Sequence, residues 1–224
     1  MKIRWLAHSS FLLTADDGTK VLTDPYEPGG FGGNIGHGPF GEAVSIVTVS
    51  HEHGDHNYVQ GLAGKPTVIH GLQLAKGAGE QTIGKVKLKA VLAYHDGKRG
   101  SDRGEDAIFA ISIDGIAVAH CGDLGHVLTP DQVKAVGPVD VLLIPVGGFY
   151  TIDAAQATQV VEQLEPKMVI PMHVKTDKLN FPIALVDDFL RGKTNVERTG
   201  RSEIQVTVAS LPTETKIVVL EPSL

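Results

Sequence analysis

The chain has 224 residues, 42% of them hydrophobic and only 5% aromatic, and 20 basic against 26 acidic side chains give a formal charge of −6. That length suffices to bury a sizeable core, and the charge lacks the basic footprint of a nucleic-acid binder. One cysteine, Cys121, excludes an internal disulfide, and no run approaches the roughly 20 apolar residues of a membrane span.

In chain order, Met1 to Ala15 is too interrupted by His8-Ser9-Ser10 for a signal-peptide core, so we expect a soluble, cytoplasmic protein. Residues 2–6, 10–15 and 19–23 read as three short strands, with Asp16-Asp17-Gly18 turning between the last two. Asp24-Pro25 ends the third, since proline cannot donate to a sheet. Seven glycines between 29 and 41 exclude an ordinary helix or strand. That stretch reads either as a loose surface loop or as a substrate lid with Phe31, Ile35 or Phe40 at its apolar tip. It lacks the Gly-Lys-Ser/Thr ending of a phosphate loop.

The apolar run 44–49 reads as a buried strand, 57–63 as a short helix or turn, 67–69 as a strand and 72–76 as helical. Residues 81–94 alternate as one or two strands, followed by a polar loop over 96–105. A hairpin across Asp114-Gly115 joins 106–113 to 116–120. Thr129-Pro130 starts a helix over 131–136. Then come a strand at 139–145, an amphipathic helix at 153–164 with Ala154, Ala157, Val160, Val161 and Leu164 inward, and a strand at 167–171. A helix at 183–190 and a hairpin of 203–209 with 215–220 close the chain. This order predicts two packed sheets flanked by helices, in one domain spanning 1–224, with no linker or repeat.

The chemistry concentrates in His51-Glu52-His53-Gly54-Asp55-His56, directly after the strand at 44–49. His51 and His53 are two apart, so an extended backbone turns both imidazoles to one side. Gly54 permits a sharp turn, after which Asp55 and His56 face a second point nearby. The spacing points to two adjacent metal sites, because these groups would otherwise repel one another and carry an uncompensated desolvation cost. Imidazole and carboxylate without thiolate suit Zn²⁺, with Mn²⁺ or Fe²⁺ as alternatives. His95, Asp123 and His173 each end an apolar strand, and such ends can converge on one sheet edge. Spacing alone leaves each of the three open between ligand and ordinary surface or capping group. Cys121 reads as a small buried residue, with no thiolate-activating pair beside it.

Taken together, His51-x-His53-x-Asp55-His56, His95, the His120-Cys121-Gly122-Asp123 run and His173 resemble the metallo-β-lactamase superfamily. The opening Trp5-Leu6-Ala7-His8-Ser9-Ser10-Phe11, Asp24-Pro25 and Pro171-Met172-His173 resemble its ascorbate-6-phosphate-lactonase-like branch, over about residues 4 to 182. The resemblance implies an α/β (α+β) fold, an αββα sandwich of two mixed β-sheets, with metals at one edge. It implies that His51, His53 and His95 hold one ion, that Asp55, His56 and His173 hold a second, and that Asp123 bridges them. Asp24 would brace the metal-binding loop. The family order favours His95 over His70 as the third ligand of the first ion. His8 and His120 would serve as hydrogen-bonding supports, and His37 and His126 would face the substrate.

The function expected from these residues is hydrolysis by two divalent ions and a bridging hydroxide, with Asp55, Asp123 and His126 as the catalytic set. Asp55 would orient the nucleophile, and His126 or a metal-bound water would protonate the leaving group. Four positive charges against Asp55, Asp123 and hydroxide leave a positive centre, which favours a small anionic ester or lactone. A phosphodiesterase or phosphate-ester hydrolase is the alternative. A non-hydrolytic metal or redox protein is the third reading, weakened because His53 stands where flavodiiron relatives carry glutamate. Neither nucleic acid nor a membrane is expected as a partner. Oligomeric state stays open.

Overall fold

The computed structural model describes residues 1–224. The first sheet contains β1 (Lys2–Ala7), β2 (Ser10–Thr14), β3 (Lys20–Thr23), β4 (Ile46–Val49), β5 (Thr67–His70) and β13 (Glu203–Gln205). Their order is β13-β1-β2-β3-β4-β5, antiparallel as far as β3 and parallel from β3 through β5. The period-2 alternation of these strands divides two cores. Ile3, Trp5, Phe11, Leu13, Val21 and Ile46 join the main core, while Leu6, Leu12, Leu22, Val47 and Val49 form a smaller cluster with Phe40, Val59 and Leu62.

The second sheet contains β6 (Glu80–Ile83), β7 (Val86–Tyr94), β8 (Glu105–Ile113), β9 (Ile116–His120), β10 (Val141–Pro145), β11 (Met168–Met172), β12 (Val196–Arg198) and β14 (Lys216–Val219). Its order is β12-β14-β11-β10-β9-β8-β7-β6, antiparallel from β6 to β9 and parallel beyond. Helices α2 (Gly71–Lys76), α3 (Pro130–Val136), α4 (Ala154–Leu164) and α5 (Val186–Leu190) flank the sheets. Both α3 and α4 begin with reciprocal capping, Thr129 with Gln132 and Asp153 with Gln156, which satisfies amide groups that the helix itself cannot. On α4, Ala157, Val160 and Leu164 are buried and Ala154 and Val161 pack beside them, as the periodicity predicts. The two mixed sheets flanked by helices are the architecture expected from the sequence.

Three expectations are corrected. Segments 203–209 and 215–220 do not pair as a hairpin: β13 pairs with β1 in one sheet, and β14 lies between β11 and β12 in the other. The helix expected at 183–190 starts only at Val186, because Ala184 donates its N–H to Gly147 instead. The glycine-rich stretch is not loose. It forms a left-handed turn, α1 (Gly30–Gly33), with φ of 52° at Phe31 and 67° at Gly32, and Ile35 is buried in a bridge to Leu179.

This topology gathers the candidate ligands at one place. His8, Asp24, the 51–56 segment, His95, Asp123 and His173 all lie just beyond the carboxyl ends of strands, β1, β3, β4, β7, β9 and β11 respectively. Asp106 is the second residue of β8 and pairs across from Ala93 near the end of β7. Six strand ends from two sheets therefore meet at one rim.

Candidate metal centre

The ligand-type atoms of His51, His53 and His95 lie within 4.8 Å of one another, as do those of His8, Asp55, His56 and His173, and those of His51, His56 and Asp123. Asp123 is the meeting point. Its Oδ2 lies 3.1 Å from both His56 Nε2 and His95 Nε2, and its Oδ1 lies 3.4 Å from His173 Nε2. All these residues are buried except His53, which is exposed at the rim. All seven residues singled out as metal candidates are thus brought together, with His8 added to them.

Hydrogen bonds behind the rings assign the tautomers. Asp24 is fully buried; its Oδ1 accepts the Ser50 N–H at 2.8 Å, and its Oδ2 accepts the Ser50 hydroxyl at 2.6 Å. The hydroxyl proton is then spent, so Ser50 Oγ accepts from His51 Nδ1 at 3.0 Å. Asp24 Oδ2 also accepts from His56 Nδ1 at 2.8 Å. Both Nε2 lone pairs are consequently turned inward. Asp24 braces the loop as the resemblance implied.

Inward lone pairs create the test of fit for a cation. His56 Nε2 points at a carboxylate oxygen 3.1 Å away, and His51 Nε2 lies 3.0 Å from His53 Nδ1. His56 Nε2 and Asp123 Oδ1 are buried without a hydrogen-bond partner, as are both oxygens of Asp106. Such groups are costly in the interior unless a positive charge lies among them. Protons or divalent cations can supply it, and imidazole nitrogens alternating with carboxylates are the donor set that Zn²⁺ takes. The residues fit the metal.

The protonation tendencies carry the same message. Burial alone would lower the His56 pKa, yet Asp123 and Asp55 raise it well above the ordinary imidazole value. Burial would raise the Asp123 carboxyl, but His173 and His56 hold it well below the usual range. His95 is raised against its burial by the Asp123 carboxylate. His8 behaves oppositely: burial, reinforced by His173, lowers it to about 4, so its ring is neutral and its Nε2 sits 3.1 Å from Asp55 Oδ2.

The backbone is strained where it serves this centre. His8, Asp24 and His173 all adopt positive φ, at 53°, 39° and 51°. Each such conformation costs roughly 1–3 kcal/mol in a non-glycine residue and persists where the surroundings enforce it. Gly122 has φ of 51°, and an added Cβ would fall 2.7 Å from the Ser50 side chain, so only glycine lets β9 deliver Asp123 here.

Outside the centre, His120 hydrogen-bonds the Ser9 carbonyl at 2.7 Å and the Gly122 N–H at 3.3 Å, a purely supporting role. His70 pairs with Glu52 at 2.7 Å and stays apart from the cluster. His37 is held between Leu224 and Thr176 and lines a different cavity. The structure does not bring His126 to the centre. Its Nε2 accepts the Tyr94 N–H at 3.2 Å and its Nδ1 lies 2.9 Å from the Val127 carbonyl, because the turn at Gly125 ties the segment back onto β7. Asp106 is the residue that sequence reasoning missed; it is fully buried, 3.4 Å from His51 Nδ1. Its signal was a charge heading the apolar run Ala107-Ile108-Phe109.

A cavity of about 470 Å³ opens over the centre, lined by His53, Asp55, His95, Asp123 and His173 on its floor and by Phe31, Arg103, Tyr150 and Phe181 on its walls. Of the three candidate lid residues only Phe31 reaches it. No helix of the chain is long and apolar enough to cross a membrane.

Comparison with known proteins is consistent with this geometry. The beta-lactamase superfamily domain matches residues 2–173. A UPF0173 metal-dependent hydrolase of Pyrococcus furiosus is 31% identical, over 79% of this chain and 85% of its own length. Another, from Carboxydothermus hydrogenoformans, is 30% identical over the same shares of 79% and 85%. A crystal structure from Thermotoga maritima, provisionally named a zinc-dependent hydrolase of the metallo-β-lactamase superfamily, covers 98% of both chains at 37% identity with a TM-score of 0.78. None of these names specifies the ascorbate-6-phosphate-lactonase-like branch, which is not confirmed.

Proposed function

The chain belongs to the metallo-β-lactamase superfamily of metal-dependent hydrolases, and from that premise we propose that it hydrolyses a small anionic ester or lactone with a dinuclear metal centre. The observation that carries the reading is the convergence of two donor groups on Asp123 at the floor of one cavity. His51, His53 and His95 would hold one ion, Asp55, His56 and His173 the other, and Asp123 would touch both. Zinc is the first choice for this donor set, with manganese or iron next. Ions bound there supply Lewis acidity, which activates water near neutral pH and stabilises negative charge on the scissile group.

The protein's own residues do the rest. Asp24 and Ser50 keep the His51 and His56 lone pairs aimed inward. His8 donates to Asp55 Oδ2 and so fixes the carboxylate that would hold the second ion and orient the attacking water. Asp55 lies on the floor of the cavity. The lone thiol of Cys121 is fully buried, its pKa pushed up by burial and the Asp106 carboxylate, and takes no part in the reaction. An unpaired thiol agrees with a reducing, cytoplasmic setting.

The test is hydrolysis of a panel of aryl esters, lactones and a model phosphodiester by zinc-loaded protein. We expect turnover of esters or lactones that chelation abolishes and added metal restores. Turnover confined to the phosphodiester would replace the substrate class, and turnover unaffected by chelation would overturn the metal mechanism.

A further inference from the structure

The cavity mouth is unlike the rest of the surface. The chain has only seven phenylalanines and four tyrosines, yet Phe31, Phe181, Tyr150 and Phe149 follow one another edge to face with ring centroids 5.6, 5.8 and 4.7 Å apart. Phe31 and Phe149 are 51% and 63% exposed. Both also adopt positive φ, at 52° and 60°, although they come from distant parts of the chain. A bulky side chain that is exposed and strained loses on both counts, and glycine would lose on neither. Phe31 lines the cavity and Phe149 stacks on its wall residue Tyr150, so both stand beside whatever enters it.

Beside them stands one cation. Arg103 lines the same cavity, donates through Nη2 to the Phe149 carbonyl at 3.1 Å, and lies 5.8 Å from the Tyr150 ring centroid. No carboxylate pairs with it; its neighbour Asp102 is taken by Lys98 at 2.8 Å. Its backbone is fixed by Asp96, whose two oxygens accept four N–H groups, from Lys98, Gly100, Asp102 and Arg103. A guanidinium held this way keeps most of its five donors free for a planar anion.

The charge of the centre makes such a residue necessary. Ions held by Asp55 and Asp123 would also have the buried carboxylates of Asp24 and Asp106 close behind their histidine ligands. Counted with all four carboxylates, the positive excess expected from Asp55 and Asp123 alone disappears, so the centre by itself gives little preference for anionic substrates. That preference has to come from the wall.

We propose that Arg103 is a specificity-determining residue that binds a carboxylate of the substrate, while an apolar ring of the same molecule lies against Phe31, Phe181 and Tyr150. This rests on the hydrolase reading and narrows its substrate class to carboxylate-bearing aryl or similar ring-containing esters.

Two readouts test it on the zinc-loaded protein. The first is steady-state hydrolysis of 4-nitrophenyl acetate and 4-nitrophenyl hemisuccinate by wild type, Arg103→Ala and Arg103→Lys. The expected result is a rise in KM of about tenfold or more for the hemisuccinate in Arg103→Ala, as befits a lost charge-assisted hydrogen bond. Arg103→Lys recovers part of it, and the loss on the hemisuccinate exceeds the loss on the neutral acetate by about tenfold. The second is calorimetric binding of phenylacetate, with benzyl alcohol as the uncharged control. Phenylacetate affinity should fall by about tenfold in Arg103→Ala, whereas a carboxylate bound only at the metals would be indifferent to that change. Equal phenylacetate affinity in wild type and variant overturns the proposal even if both esters are cleaved. Equal losses on both esters also overturn it, by showing a merely structural role. Arg103-dependent phenylacetate binding with neither ester cleaved would support the anion site and overturn the aryl-ester substrate class instead.

Discussion

At the scale of single residues, hydrogen bonds behind the rings decide which nitrogens face the centre. Asp24 touches no cavity, yet it decides which nitrogen of His56 is free, because Nδ1 donates to its Oδ2 at 2.8 Å. Asp24→Asn is close in shape but puts an amide donor where that acceptor was. His56 then faces a donor, its proton moves to Nε2, and the lone pair leaves the centre. Supporting partners of this kind are typically worth 10–100-fold in metal affinity. We therefore predict a loss of about that size in zinc affinity for Asp24→Asn, measured by competition with a chelating dye; unchanged affinity in a folded variant would refute the tautomer assignment. The cluster at 51–56 was legible because its spacing is short and its residue types have few other uses. Asp106 was not, since one charge at the head of an apolar strand has no partner within sight in the sequence. His126 shows the converse: a histidine three residues from Asp123 points away because Gly125 turns the backbone.

At the scale of elements, local patterning served well and long-range pairing did not. The short apolar runs at 2–6, 10–15, 19–23 and 44–49 predict the strands β1 to β4, and Thr129-Pro130 predicts the start of α3. The segments at 203–209 and 215–220 have strand character, but nothing in them says that one pairs with β1 and the other with β11 and β12. Partner choice is set by what the rest of the fold leaves unpaired. The loop from 96 to 104 carries its own organiser. Asp96 is held at about 2, where burial opposes ionisation but the N–H groups of Arg103, Lys98, Gly100 and Asp102 outweigh it. Its pKa is depressed from the ordinary 3.8, so its stabilisation is complete above that value and is lost as pH falls toward 2. Asp96→Asn leaves two of the four N–H groups without an acceptor and should cost about 1–3 kcal/mol. Chemical denaturation at neutral pH should show that loss. The difference between variant and wild type should shrink between about pH 4 and pH 2. A constant difference across that range would show that the carboxylate is not the organiser.

At the scale of the whole molecule, two sheets bring six strand ends to one rim, and the cost of that arrangement appears as strain at His8, Asp24 and His173 and as carboxylates buried without partners. Bound cations would offset that cost, so the same ions that serve the chemistry also hold the rim together. The ratio of metal to chain is therefore the most direct measurement of the central claim. Elemental analysis of protein purified without added metal, beside the His51→Ala/His53→Ala double variant, is predicted to find about two equivalents of zinc, manganese or iron per wild-type chain, largely lost in the variant. Wild-type protein that carries no metal and takes up none when zinc is supplied, or a double variant that retains the full complement, would contradict the account.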